Sequence, residues 1–272
     1  VRAKIVNMQE EASTKPNVMC FSGLDPTGGA GIQADIEALF SGGCHCAPII
    51  TSLTVQDSAN VISVVPVNAS LVIEQARAVL EDMPIQAFKI GLLGSVAMVE
   101  VVHTLLTDYP NIPVVLDPIL QAGGGYQFGS EELIDAMINL LLPLTNVLTP
   151  NTQEIRRLAP TADTLEACAV ELLDTGCENI LLTGAHEPGP KVVNRLFRHH
   201  QPVKSTSWPR LAQEYHGSGC TLSASLSAYL AHGLSLQEAV QQAQKFTWES
   251  LQHAERRGCG QYFPNRSYWN RR

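Results

Sequence analysis

Short apolar runs of strand length alternate with amphipathic segments along most of this chain, and that alternation leaves few folds open. Residues 18–22, 47–55, 87–90, 114–116, 146–149 and 179–182 are largely continuous apolar runs, the pattern of strands buried on both faces. Between them lie segments of helical period. Ile32, Ile36, Leu39 and Phe40 fall at i, i+4, i+7 and i+8, and residues 69–82, 95–107, 130–142 and 164–175 read the same way. Two more helices are expected near 220–231 and 236–254, and a small hairpin within 192–206. Strand–helix repeats of this kind predict an α/β fold with a mostly parallel central sheet, covered by helices on both faces. Ligands of such sheets bind at the carboxyl ends of the strands.

The chain has 272 residues, 45% of them hydrophobic and 16% charged, enough for a substantial core in one domain. Neither internal repeat nor linker composition interrupts it, so residues 17–272 are expected to form a single domain. Residues 1–16 are polar and aperiodic and read as a flexible tail. Val1 fits a non-standard start or a segment boundary, with Met8 an alternative start. A net charge of −8, with no basic run longer than two residues, argues against a nucleic-acid partner. No apolar run reaches membrane-spanning length and no signal-peptide pattern is visible. Seven cysteines, an odd number, read as reduced and cytoplasmic. The spacing Cys44-His45-Cys46 does not suit a zinc knuckle.

The chemistry concentrates at the expected strand ends. Residues 216–221 read His-Gly-Ser-Gly-Cys-Thr and lead directly into a helix. Glycines there let backbone N–H groups converge, and the helix N-terminus adds partial positive charge, so the turn is an anion cradle. Cys220 sits at its mouth, where a thiol's pKa tends to fall. The first βα turn, residues 23–31, holds four glycines in nine residues, more than an ordinary turn needs. It is not a Walker loop, since no Gly-Lys-Ser/Thr follows. It does contain Gly29-x-Gly31-x-x-Ala34, a weak dinucleotide fingerprint for which Asp57 could be the ribose acid. Asp35 on the first helix is either a helix-end charge or a substrate contact. Gln56, ending the second strand, suits an amide or aminopyrimidine edge. Asp117 ends the fourth strand. Asn151 and Glu154 lie at i and i+3 after the fifth, a spacing that fits both a hydrated Mg²⁺ beside phosphates and a simple capping box. Gly123-Gly124-Gly125 reads as a mobile loop, and Thr183-Gly184-Ala185-His186 follows the sixth strand.

Taken in order, GLDPTGGAGIQADIEAL (23–39), TSLTVQD (51–57), KIGLLGS (89–95), VVLDP (114–118), LLPLTNVLTPNTQE (141–154) and HGSGCTLSASLSAYL (216–230) resemble the hydroxymethylpyrimidine/phosphomethylpyrimidine kinases of thiamine biosynthesis, in the ribokinase-like superfamily. The resemblance implies a three-layer αβα sandwich. It also implies ATP-dependent, Mg²⁺-assisted phosphorylation of a small aminopyrimidine to its monophosphate and then diphosphate, by a cytoplasmic homodimer. It would put Gly23, Asp35, Thr54, Gln56, Leu92 and Ile119 around the pyrimidine, with Cys220 as base and Gly217, Ser218 and Gly219 as anion-hole amides. Asn151, Glu154, Thr183 and Gly184 would hold the nucleotide, with Asp117 and Glu154 at the metal. Sugar kinases and many pyridoxal kinases of the superfamily usually have Asp where Cys220 stands. Two positions depart from the family pattern: Gly123 and Thr183 stand where many members have Lys. A pyridoxal or pyridoxine kinase, or a catalytically weak pyrimidine-binding relative, is the competing expectation.

Overall fold

The computed structural model describes residues 15–270; the tail expected at 1–16 falls, for residues 1–14, outside the described residues. Nine strands form one sheet in the order β3-β2-β1-β4-β5-β6-β7-β8-β9. Its middle is parallel: β1 (Asn17–Leu24), β2 (His45–Gln56), β4 (Ala87–Ile90), β5 (Val114–Leu116), β6 (Val147–Leu148) and β7 (Asn179–Leu182). Antiparallel strands close both ends, β3 (Val61–Pro66) on β2 and the hairpin β8 (Lys191–Arg198) and β9 (Lys204–Pro209) on β7. The apolar runs became strands because helices cover both faces; Val18, Met19, Cys20 and Phe21 are all fully buried.

On one face lie α2 (Ala69–Asp82), α3 (Val96–Asp108), α4 (Glu131–Ala136), α5 (Thr152–Leu158) and α6 (Leu165–Asp174), packed over Phe21, Phe88, Ile90 and Leu116. On the other lie α1 (Gly31–Ser41), α7 (Ser218–Ala231) and α8 (Leu236–Gln252). Helix α7 runs between α1 and α8 and is buried from Cys220 to Ala228. Its serines and threonines do not strand polar groups there. Ser223, Ser225 and Ser227 each donate to the carbonyl four residues back, at 2.7–3.1 Å. Small side chains are what let this helix sit so close to its neighbours.

Two elements were not expected and one expected helix is corrected. Strand β3 pairs antiparallel with β2 at the edge of the sheet, ahead of the helix expected over 69–82. The helix expected over 130–142 stops at Ala136, continues as a wider turn over Met137–Leu141 and tightens over Leu142–Leu144, because Pro143 cannot donate into a regular helix. After α8 the chain continues as a strap, residues 255–270, that recrosses the carboxyl edge of the sheet.

Candidate active site

Helix α7 packs against β1, β4 and β5, and its first turn lies beside Asp117 at the carboxyl end of β5. Gly217 is the N-cap of that helix, at φ 82° and ψ 18°, and makes no side-chain cap. Only glycine fits: a Cβ there would lie 2.0 Å from the Gly29 carbonyl oxygen. The first-turn N–H groups of α7 therefore stay available to an anion. On the far side, a Cβ at Gly219 would find Asp117 Oδ2 at 3.7 Å, and Ser223 Oγ lies 3.2 Å from that same oxygen. A carboxylate thus faces an anion cradle, an arrangement that calls for a cation between them.

Glu154 supplies the second carboxylate. The capping box is real: Asn151 Oδ1 accepts from the Gln153 and Glu154 amides, and Glu154 Oε2 accepts from the Asn151 amide at 2.9 Å. Glu154 Oε1 also accepts from the Leu120 amide at 3.3 Å, which ties α5 to the segment after β5. Burial, with repulsion from Asp117, pushes the Glu154 carboxyl up to about 7. Burial pushes Asp117 up to about 6 against the pull of Lys89. Two desolvated carboxylates of this kind fit a hard divalent ion that would restore their charge balance. Thr183 bridges to Asn151, and Gly184 donates its amide to Asn194 Oδ1 at 3.1 Å. Asn151, Glu154, Thr183 and Gly184 are thereby brought together at the ends of β6 and β7.

Cys220 accepts a hydrogen bond from the Gly31 backbone, yet burial pushes its thiol up to about 12 in spite of Lys89. The depression expected from the helix N-terminus is overridden by desolvation. Asp35 lies in the second turn of α1, not the first, and is fully buried. Lys89 Nζ sits 2.9 Å from its Oδ1 and 3.0 Å from its Oδ2, and also meets Ser22 Oγ at 3.0 Å. Asp35 is therefore not a helix-end charge; it pairs with Lys89 beneath the site. Lys89→Met is expected to cost about 3–5 kcal/mol by stranding that carboxylate, and adding Asp35→Leu should recover most of it. Denaturant unfolding checks both, and a single-variant cost under about 1 kcal/mol would contradict the ion pair's role.

The remaining expected pocket residues cluster. A Cβ on Gly23 would touch Leu92 Cδ2 at 3.0 Å, and one on Gly91 would meet Ile119 Cδ1 at 3.5 Å. Ile119 holds φ at 30°, a costly backbone for a β-branched residue and a kind of strain found at ligand sites. Thr54 Oγ1 donates to the Leu24 carbonyl at 2.8 Å and accepts from Gln56 Nε2 at 2.8 Å. Asp57 Oδ1 is occupied by the Ala59 and Asn60 amides, which removes the ribose acid that a dinucleotide site would need. Residues 121–127 fold as a small loop resting on the 57–60 turn and on Gln261. A Cβ at Gly123 would lie 2.9 Å from Gln261 Nε2, and one at Gly124 would lie 2.4 Å from Asn60 Oδ1. Together with Gln56 and His216 this loop and the 57–60 turn leave a space of only about 10 Å³. A roomier open cleft of about 670 Å³ lies between the 25–28 turn, α1 and residues 255–267. It includes none of Gln56, Asp117, Glu154 or Cys220, so volume alone would misplace the site.

Two features escaped the sequence reading. His216 Nε2 pairs with Asp25 Oδ2 at 2.7 Å, 191 residues away. Burial acts to raise the Asp25 carboxyl, but bonds from His216 and Thr27 outweigh it and hold it below the usual range. Lys89 had a visible signal, a charged residue inside the apolar run Ala87–Ile90, which demands a buried partner.

A family model described as Phosphomethylpyrimidine kinase matches residues 25–265. The hydroxymethylpyrimidine/phosphomethylpyrimidine kinase of Haemophilus influenzae is 33% identical over 259 residues, covering 91% of this chain and 95% of that protein. A thiamine biosynthetic bifunctional enzyme of Arabidopsis thaliana is 30% identical over 252 residues, 90% of this chain and 48% of the relative. The chain thus spans about half the length of the bifunctional relatives it matches. An ADP complex of Bacillus subtilis pyridoxal kinase superposes with a TM-score of 0.87 at 23% identity, covering 95% of this chain and 100% of that one, a likeness of fold.

Proposed function

This chain belongs to the phosphomethylpyrimidine kinase family, and from that premise we propose that it phosphorylates 4-amino-5-hydroxymethyl-2-methylpyrimidine with ATP. The product is the monophosphate, and a second transfer gives the diphosphate for thiamine biosynthesis. The observation that carries this reading is the uncapped first turn of α7 facing the buried carboxylate of Asp117, with the buried carboxylate of Glu154 near enough to Asp117 to be repelled by it. An anion-binding turn next to a cation-binding pair is what transfer of a phosphoryl group requires.

In this reading Gly217, Ser218, Gly219 and Cys220 direct their amides at the transferring phosphoryl group. Asp117 and Glu154 would hold Mg²⁺, which when bound neutralises phosphate charge. Asn151, Thr183 and Gly184 line the nucleotide side. Gly23, Thr54, Leu92 and Ile119 shape the ring pocket, and Thr54 orients Gln56 towards the aminopyrimidine edge. Cys220 orients the substrate hydroxyl as a thiol, and its small thiolate fraction takes the hydroxyl proton, becoming the thiol as the bond to phosphorus forms. A thiol near 12 is almost wholly protonated at neutral pH, and a loose transition state asks little of a base until bond formation is advanced.

The continuous sheet supports treating residues 17–272 as one kinase unit. Leu53, Val55 and Val65 are exposed on one face of the β2–β3 hairpin, which gives a homodimer a surface. Free cysteines throughout support a cytoplasmic setting. Among the described residues, no helix is long and apolar enough to cross a membrane.

Pyridoxine kinase activity is the rival, and competition separates the two. With both alcohols supplied, kcat/KM for the aminopyrimidine is expected to exceed that for pyridoxine by at least about 100-fold, because pyridoxine leaves the Gln56 amide unpaired. A preference for pyridoxine would transfer the assignment to that activity.

A further inference from the structure

The strap that follows α8 ties the separate walls of the site together. Glu255 and Phe263 exchange backbone hydrogen bonds, His216 donates its amide to the Tyr262 carbonyl, and Gln261 donates its amide to the Ser58 carbonyl, all at 2.9–3.0 Å. A further tie of the strap is a side chain. Arg266 is 2% exposed. Its Nη2 donates to the Gly29 carbonyl at 2.5 Å, its Nε to Thr221 Oγ1 at 2.8 Å, and its Nη1 to Glu37 Oε2 at 3.0 Å. Gly29 lies in the β1–α1 turn and Thr221 in the first turn of α7, so one planar guanidinium joins the two turns that meet at Gly217. A Cβ on Gly217 would sit 2.9 Å from Arg266 Nη2.

We propose that Arg266 is a positioning residue for phosphoryl transfer, acting through Thr221 on the peptide that opens the anion cradle. The inference rests on the kinase reading above. Thr221 Oγ1 accepts from Arg266 and therefore turns its own hydrogen to the Gly217 carbonyl, to which it donates at 2.8 Å. The Gly217 carbonyl and the Ser218 N–H belong to one rigid, trans peptide unit. Fixing the carbonyl down the helix points the Ser218 N–H out of its N-terminus, towards an incoming anion. The Nη2 bond to Gly29 holds the opposite turn in register. Only arginine presents three donors in a fixed fork to three separate acceptors; a lysine ammonium in the same place would satisfy fewer.

The test uses the full chain with Mg·ATP and hydroxymethylpyrimidine, and compares Arg266→Met, Arg266→Lys, Thr221→Val and Glu37→Gln. For Arg266→Met, kcat is expected to fall about 100-fold, the scale of a displaced catalytic group, with both KM values within about threefold of the parent. Added guanidinium ion should restore part of that kcat, and Arg266→Lys should restore less than arginine. Thr221→Val, which removes the relay but keeps the Gly29 tie, should lose about tenfold in kcat, the scale of one hydrogen bond. It carries the test if Arg266→Met does not fold. Glu37→Gln removes the charge of the outward ion pair and leaves the Gly29 and Thr221 ties in place, so it should stay within about twofold of the parent. Parental kcat in Arg266→Met, or a loss that appears in both KM values without a fall in kcat, overturns the proposal. Amide hydrogen exchange at residues 217–221 reads the tie without turnover. Faster exchange in the folded Arg266→Met or Thr221→Val protein supports it, and unchanged protection overturns it. A parent protein that transfers no phosphoryl group would defeat the kinase reading, and exchange would still decide the tie.

Discussion

Glu154→Gln is expected to lower kcat/KM for Mg·ATP by about 10²–10³ while leaving the thermal midpoint within a few degrees of the parent. The two halves follow from different atoms. The amide oxygen of glutamine can still accept from the Asn151 N–H at the position of Glu154 Oε2, so the capping box survives. What is lost is the long bond from Leu120, 3.3 Å in the parent, and that loss is offset by removing a carboxylate that burial and Asp117 push up to about 7. The negative charge that would hold Mg²⁺ is gone. Steady-state kinetics over a range of Mg²⁺ concentrations, with a thermal melt of the same sample, checks both. A variant that unfolds easily and keeps its activity per folded molecule would make Glu154 a cap and nothing more.

Cys220→Ala should separate the two phosphorylations. In the first, the nucleophile is an alcohol that must lose a proton, and the loss in kcat is expected to be about 10²-fold, the lower end for a positioned proton acceptor. In the second, the nucleophile is a phosphate that is already anionic, and kcat should stay within about threefold. A thiol pushed up to about 12 by burial adds a pH signature. The thiolate fraction rises with pH throughout the working range, so the parent's first-step kcat should climb on the alkaline side, and the alanine variant should lose that climb. Equal losses in both steps would remove Cys220 from proton transfer and leave it a packing residue.

The parallel core of the sheet was legible because its strands are buried on both faces. Runs such as residues 18–22 and 114–116 have no polar face to confuse the pattern. The helices on period were legible for the same reason. Strand β3 was missed although its signal was present, since the β-branched run of 61–65 follows an Asp-Ser-Ala-Asn turn. It is an edge strand with Ile62 and Val65 exposed, so no alternation marked an inner face. The irregular helix after Ala136 reflects Pro143 acting on the residues ahead of it, a break whose exact form depends on packing.

At the site, the chain-local motifs were readable: 216–221, 151–154 and 117–118 each arrived at a strand end or helix start as expected. The long-range pairings were not. The partner of Asp35 is Lys89, 54 residues away, and no local spacing joins the two. The same holds for Asp25 with His216 and for Arg266 with Gly29. The depressed thiol expected at Cys220 assumed an exposed helix end, and the depth of α7 reverses that sign. At Gly123 the loop lies against the Gln261 amide, where a Cβ would come within 2.9 Å of Nε2.

Product analysis decides whether this chain moves phosphoryl groups onto an aminopyrimidine. The full chain is incubated with Mg·ATP and hydroxymethylpyrimidine and the products are followed in time by mass spectrometry. Monophosphate that accumulates first and then converts to diphosphate is the expected result. Monophosphate alone would withdraw the second transfer. A folded protein that leaves both ATP and the pyrimidine unchanged would contradict the kinase assignment outright.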